Sequence, residues 1–473
     1  MSLWSSPPQV QFGSYSRPFP IPAGKLMLDR RALATHKHVI GVSGSGKSKL
    51  LESLFLQLVE QGIAATFLDP HADSAEALLG ILASRGYFRR PDAYKRLLYI
   101  DFADSQAFLP FNILSQPKTD PHTISSQVLE AFHRAWPALG DGAAPQFDNL
   151  VLAGTLVLIE NGLPLSGLHR LLTDKSWRDR ALEQVSDGDV VAFFTDRFDR
   201  WSRTETPQMI ESTLRRLFLL TFSPILKASL GSTTENALDF RALMDAGTSV
   251  IINLGGVHDQ DARRLLGCLL VTGYETAALS RTDLDPSARV HHHLLLDEFS
   301  DYSAQSEEAL SRTLSLTRKF GLFSTMAHQT WSQTSARLQG ALQNVGVRVA
   351  LKVGRQDAEI LAKSFGAVDP YRLKKDAASA TGQPVFLELP AQWEQWTQEL
   401  MGLKPRHALV SIAGRPTLRI VTPTVPSPRV DSALLRRIKE HYRTHLLRPR
   451  SRVTTSYDVG EPSSRTRRII RVE

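Results

Sequence analysis

Cysteine is all but missing from this chain of 473 residues: Cys268 is the only one. A single thiol excludes an intramolecular disulfide framework and any cysteine-built zinc site. Its apolar setting, residues 265–271, reads as a buried structural thiol in a protein of a reducing compartment. Long hydrophobic runs are missing too. The longest, 150–159, spans ten residues and is closed by Glu160, against the roughly 20 that a membrane-spanning helix needs. It predicts a buried helix. Residues 1–22 contain neither the basic nor the apolar stretch of a secretory leader. The expectation is a cytoplasmic protein with no membrane span of its own, which reaches a membrane only through partners. No repeat of 20–50 residues is present, and with 42% hydrophobic residues the chain has ample material for packed cores.

Charge is scarce where it would be most informative. Lys and Arg number 56 against 48 Asp and Glu, a net +8. Residues 431–473 alone hold eleven Lys and Arg against five Asp and Glu, so the preceding 430 residues are almost neutral. The bulk excess therefore gives little support to a nucleic-acid channel through the body of the protein. It belongs to a predicted amphipathic helix over 431–447, with Arg436, Arg437, Lys439 and Arg443, and to a tail carrying Arg465, Arg467, Arg468 and Arg471. If that segment functions, removing 448–473 is expected to weaken binding of DNA or an acidic partner and to spare basal activity.

What is present begins with five prolines between Ser5 and Pro22, an extended arm, and a lead-in to Lys37. Regular structure is expected from His38. A buried strand over 38–42, a glycine-rich turn, a helix over 47–61 stopped by Gly62, and a strand over 63–68 form one βαβ unit. Strands follow at 97–102 and 109–114. From 119 to 246 nearly every segment has helical spacing (123–135, 146–160, 165–172, 177–184, 208–220), as an inserted domain would. Alternation then resumes with strands at 248–254, 293–296, 322–326, 347–353, 385–389, 407–412 and 417–421, and helices at 261–280 and 307–320.

Two motifs carry chemistry. Gly41-Val42-Ser43-Gly44-Ser45-Gly46-Lys47-Ser48 fits G-x-x-x-x-G-K-[ST] at every defined position, between a strand and a helix. Gly41, Ser43, Gly44, Ser45 and Gly46 let successive backbone N–H groups curl around phosphates at a helix N-terminus. Lys47 reaches the β- and γ-phosphates of ATP, and the Ser48 hydroxyl is a ligand for Mg²⁺. The apolar strand ending in Asp297-Glu298 delivers two carboxylates to the sheet edge where ligands bind. Asp297 is the candidate to hold Mg²⁺ through water, and Glu298 to act as general base. His291, His292 and His293 alternate faces along a strand and cannot converge on a metal. His36 and His38 read as strand-edge residues, no Ser-His-Asp arrangement is recognisable, and Trp136, Trp201, Trp331, Trp393 and Trp396 lie in no basic cluster, so packing is their expected use.

Together these residues resemble the HerA/FtsK superfamily of DNA-pumping motor ATPases. Phe67-Leu68-Asp69-Pro70-His71-Ala72-Asp73 is similar to that family's Asp-Pro-x-Gly-Asp strand end, with Ala72 for the usual glycine. Arg318-Lys319-Phe320-Gly321, followed by Ala327-His328-Gln329, is similar to its Arg-Lys-x-Gly segment and downstream glutamine. Over residues 25–425 the chain is most similar to the soluble part of type IV conjugative coupling proteins, including the helical insertion and the segment from Val345 to Glu359. It departs from them in showing no N-terminal membrane helices. It also has too few residues before the phosphate loop for a HerA-type β-barrel, and no clear FtsK-type winged helix after the core.

The resemblance implies an α/β fold: a RecA-like P-loop NTPase core in two parts (38–118 and 247–425), with an N-terminal arm (1–37), an all-helical inserted domain (119–246), and a basic C-terminal helix plus flexible tail (426–473). It implies that Gln329 senses the γ-phosphate. Arg318 becomes an arginine finger reaching a neighbouring subunit's ATP, and the assembly a homohexameric ring that moves DNA through its centre. A relaxase, a nuclease or a membrane secretion component is the expected further partner. The rival expectation is a P-loop ATPase that remodels proteins or assembles a secretion machine without handling DNA.

Overall fold

The computed structural model describes residues 8–15, 24–102, 104–116, 118–136, 145–202, 204–232, 234–302, 314, 316–331, 336–369, 371, 373–378 and 384–453. In chain order the strands are β1 (Val10–Tyr15), β2 (Lys25–Leu28), β3 (Lys37–Ile40), β4 (Ala64–Asp69), β5 (Leu97–Asp101), β6 (Ala107–Phe108), β7 (Ser249–Asn253), β8 (His292–Leu296), β9 (Leu322–His328), β10 (Val347–Ala350), β11 (Leu373–Ala378), β12 (Pro384–Phe386), β13 (His407–Ile412), β14 (Leu418–Val421) and β15 (Arg448–Pro449). Eleven of them form one sheet in the order β2-β1-β14-β13-β10-β3-β9-β8-β4-β7-β5. From β10 to β5 every neighbouring pair is parallel. The central strands are buried along their whole length, which is why they read as continuous apolar runs. Parallel strands also end together. Ile40, Asp69, Asp101, Asn253, Leu296 and His328 therefore finish at one edge, and the loops that follow them meet there. The RecA-like P-loop α/β fold expected from the motifs is the one observed.

The first correction concerns the N-terminal arm, for regular structure begins well before His38. β1 and β2 pair antiparallel, and β1 pairs with β14, extending the sheet at its far side. Val10, Phe12, Leu26 and Leu28 are buried. Their period-two spacing is a strand signal, obscured by the prolines on either side of it.

Between β6 and β7 the principal elements are the helices Pro121–Ala135, Pro145–Glu160, Gly167–Thr173, Lys175–Leu182, Glu205–Phe222 and Phe240–Asp245. Asp120 caps the first by accepting from Thr123 N–H, with Pro121 placed where its missing N–H costs nothing. This helix packs along Gln260–Leu279, which follows β7. The contact is sealed by a buried ion pair: Arg134 Nη2 lies 2.8 Å from Glu275 Oε2, and Arg134 Nε donates to Glu130 at 2.9 Å. Cys268 lies within the same interface, and burial pushes its thiol up to about 12. Among the described residues no helix is long and apolar enough to cross a membrane.

Further differences have local causes. Residues 109–114 are buried but form no strand. Pro110 cannot donate to a ladder, and the segment instead pairs with the loop around Asn236 through a single bridge at Phe111. The strand expected at 385–389 is the short β12, because a helix starts at Leu389. Most of the helix expected at 307–320 lies outside the described residues, as does the tail beyond 453.

The C-terminal helix, Ser432–Leu446, is docked on the core and is not a free appendage. Ile438, Tyr442 and Leu446, spaced by four, are its buried stripe. The Tyr442 hydroxyl donates to Leu97 O, Lys439 pairs with Glu76, and Arg443 Nε lies 2.8 Å from Asp104. Two of the four cations read as available are thus paired, while Arg436 and Arg437 remain exposed.

Candidate nucleotide site

β3 ends at Ile40, and the chain turns through the glycine-rich loop into the helix Lys47–Glu60. The loop is held from both flanks. Gly41 N–H donates to His328 O at 3.3 Å, and Val42 N–H to Lys352 O at 2.8 Å. Gly44 and Gly46 have φ of 73° and 110°, values that side-chain-bearing residues rarely adopt. A Cβ on Gly41 would lie 2.7 Å from Ser45 Oγ and 2.9 Å from Leu351 Cβ. Glycines are therefore required by backbone shape, as the motif anticipated.

The sheet edge brings five of the expected residues together. Ser48, in the first turn of the helix after the loop, stands near Asp297 and lowers its carboxyl. Gln329 Nε2 donates to Glu298 Oε1 at 2.9 Å. Lys47 is folded inward, its Nζ donating to Gly41 O at 2.8 Å and Val42 O at 3.4 Å. Burial lowers the Lys47 ammonium from its usual range, and Glu298 and Asp297 pull it back up. Burial raises the Asp297 carboxyl, opposed by the nearby Ser48 hydroxyl. Glu298 has φ of +49°, a strained conformation for a residue with a side chain and one that clusters at functional sites.

The donor set fits a magnesium nucleotide. The Ser45 hydroxyl is buried with no partner among the described residues, beside glycines in the left-handed conformation from which anion-binding nests are built. Lys47 has only carbonyl oxygens to exchange for phosphate. Ser48 with Asp297 is a hydroxyl–carboxylate pair of the kind hard cations accept.

Arg318 is not part of this cluster. It begins a short turn of helix before β9 and donates from Nε to Ala34 O at 3.1 Å. β9 has seven residues at about 3.3 Å each, so Arg318 and Gln329 stand at opposite edges of the sheet. Asp69 plays a structural part, accepting from His71 and Ala75 N–H at 2.9 and 2.7 Å. Ala72, where the resembled motif has glycine, has φ of +75°.

His36 and His38 are buried, since β3 lies between β10 and β9 and not at an edge. His328 Nδ1 is 2.9 Å from Thr330 O and so carries a proton; its Nε2 faces His38 Nε2 at 2.6 Å and accepts. Burial pushes His328 down to about 4 and His38 well below its usual value. Both are neutral at pH 7, and the pair braces the strand end that carries Gln329. Sequence reasoning missed it because the two residues are 290 positions apart. It also missed Arg406, whose backbone N–H donates to Ser45 O at 2.9 Å. Among the described residues no metal-ligand cluster occurs.

No family model and no curated protein matches the chain by sequence. Solved structures do match by fold. The conjugative coupling protein TrwB, in its unbound monoclinic form lacking 70 N-terminal residues, aligns over 86% of this chain and 88% of its own at TM-score 0.56 and 17% identity. The chain has the fold of a conjugative coupling protein. TrwB in complex with ADP and Mg²⁺ aligns over 85% and 89% at TM-score 0.57 and 18% identity. VirB4 of Thermoanaerobacter pseudethanolicus aligns over 90% and 99% at TM-score 0.56 and 13% identity. At these identities the similarity to coupling proteins is one of architecture, and the site rests on the geometry above.

Proposed function

We propose that the chain is an ATPase of the conjugation and type IV secretion kind that forms a ring, hydrolyses ATP at subunit interfaces and moves DNA through the centre. One observation carries this reading: Lys47, Ser48, Asp297, Glu298 and Gln329 converge at one sheet edge, with Ser48 beside Asp297 and Gln329 hydrogen-bonded to Glu298. That TrwB has been solved with ADP and Mg²⁺ and with a non-hydrolysable ATP analogue supports the same ligands here.

In this mechanism Lys47 leaves Gly41 O and Val42 O for the β- and γ-phosphates. Ser48 and Asp297 would hold Mg²⁺. The ion, when bound, neutralises charge on the phosphate oxygens. Glu298 accepts a proton from the water that attacks the γ-phosphorus, and the bond from phosphorus to the ADP oxygen breaks. Gln329, already held to Glu298, reports whether the γ-phosphate is present. Arg318 stands too far away to serve its own site, and its exposed position suits a neighbour's. DNA is gripped mainly by its backbone, so binding falls steeply with salt.

Steady-state ATP hydrolysis with and without DNA at low salt tests the reading. A motor is stimulated several-fold by single- or double-stranded DNA, and the stimulation disappears as salt is raised. An unchanged rate with both DNA forms removes the translocase and leaves the protein-remodelling ATPase.

A further inference from the structure

Arg406 stands in the loop before β13, and β13 runs antiparallel to β10. The start of β13 therefore lies at the same sheet edge as the phosphate loop. Its backbone is tied down on both sides: the N–H donates to Ser45 O at 2.9 Å, and the C=O accepts from Thr422 N–H at 2.8 Å. Its φ is +70°, a conformation costing about 1–2 kcal/mol for a residue with a Cβ. Glycine would relieve that cost, yet arginine is present. The stem of the side chain crosses the loop where Gly46 leaves room; a Cβ there would sit 3.5 Å from Arg406 Cγ. Nη2 donates to Thr422 O at 2.6 Å. Nε is buried with no partner among the described residues, and a buried donor without an acceptor is costly and rare.

The strand order gives this donor a direction. β9 and β8, which carry Gln329 and Glu298, lie on one side of β3, whereas β10 and β13 lie on the other. The γ-phosphate end of a nucleotide belongs with Glu298 and Gln329, so the α-phosphate and ribose leave on the flank of Arg406. We infer that Arg406 is a nucleotide-binding residue of the same subunit, donating from its unpartnered Nε to the α-phosphate of the ADP or ATP held by the phosphate loop. The inference rests on the nucleotide reading of that loop. Arg406 complements Lys47 from the opposite flank: one cation serves the terminal phosphates, the other the first.

Arg406→Gly tests this without backbone strain, because glycine accepts φ of +70°. Equilibrium binding of ADP and of a non-hydrolysable ATP analogue is measured, with orthophosphate as competitor. Both nucleotides weaken by the same factor, about 10- to 100-fold, the range of one charge-assisted hydrogen bond. Orthophosphate, a single anion held by the loop and Lys47, competes as well as in the wild type, and Arg406→Lys recovers part of the loss. Wild-type affinity for ADP in Arg406→Gly overturns the inference. So does a loss of orthophosphate binding equal to that of ADP, which would mean the loop itself had loosened. Lys47→Ala separates the two levels: if it leaves ADP binding intact, the nucleotide site fails and the inference with it.

Discussion

Replacing Glu298 by glutamine leaves ATP bound and lowers its hydrolysis about 100- to 10,000-fold, the contribution expected of a positioned general base. The substitution is close to a pure test of chemistry. Glutamine keeps the length of the side chain, and its amide oxygen still accepts the bond now made from Gln329 Nε2 at 2.9 Å. Lys47, Ser48 and Asp297 are untouched, so the phosphates and the cation keep their ligands. Only the ability to take a proton is lost. Single-turnover hydrolysis alongside equilibrium ATP binding checks the prediction. A variant that binds and turns over like the wild type would assign the base elsewhere.

Replacing Arg134 by leucine destabilises the protein by about 3–5 kcal/mol, the cost of leaving one member of a buried ion pair alone. Arg134 and Glu275 are 2% and 7% exposed in the folded chain, so the variant leaves Glu275 buried without its cation. The loss depends on pH. Burial already raises the Glu275 carboxyl, with Arg134 holding it down. Without Arg134 it rises further, so the folded state retains a proton that the unfolded state releases. Stability of the variant is then greatest below the unfolded carboxylate value, near 4.5, and falls as pH rises through the higher folded value. Denaturant unfolding at pH 5 and pH 8 measures this. A deficit that is the same at both, or smaller at pH 8, contradicts it.

The candidate site was legible to the extent that it is local. The phosphate loop and the apolar strand before Asp297 and Glu298 each announce themselves within a few residues, Gln329 was reached only through the resemblance to a family segment, and parallel strand order then joins them. What could not be read depends on tertiary neighbours. His38 meets His328 only because β3 and β9 are adjacent, and Arg406 reaches Ser45 only because β13 folds back beside β10. β1 and the edge strand β2 are set among prolines, so burial of Val10, Phe12, Leu26 and Leu28 was hidden. The basic C-terminal helix shows the opposite error. Its charge was visible, but the partners that occupy Lys439 and Arg443, Glu76 and Asp104, are more than 300 residues away in sequence.

The central claim is that hydrolysis is coupled to movement along DNA, and displacement of a tightly bound obstacle tests it most directly. Streptavidin is loaded on biotinylated single- and double-stranded DNA, and its release by the protein is followed at low salt. The account predicts release with ATP, none with a non-hydrolysable analogue, and none from Glu298→Gln. ATP hydrolysis at the full DNA-stimulated rate with no release from either DNA form would contradict it.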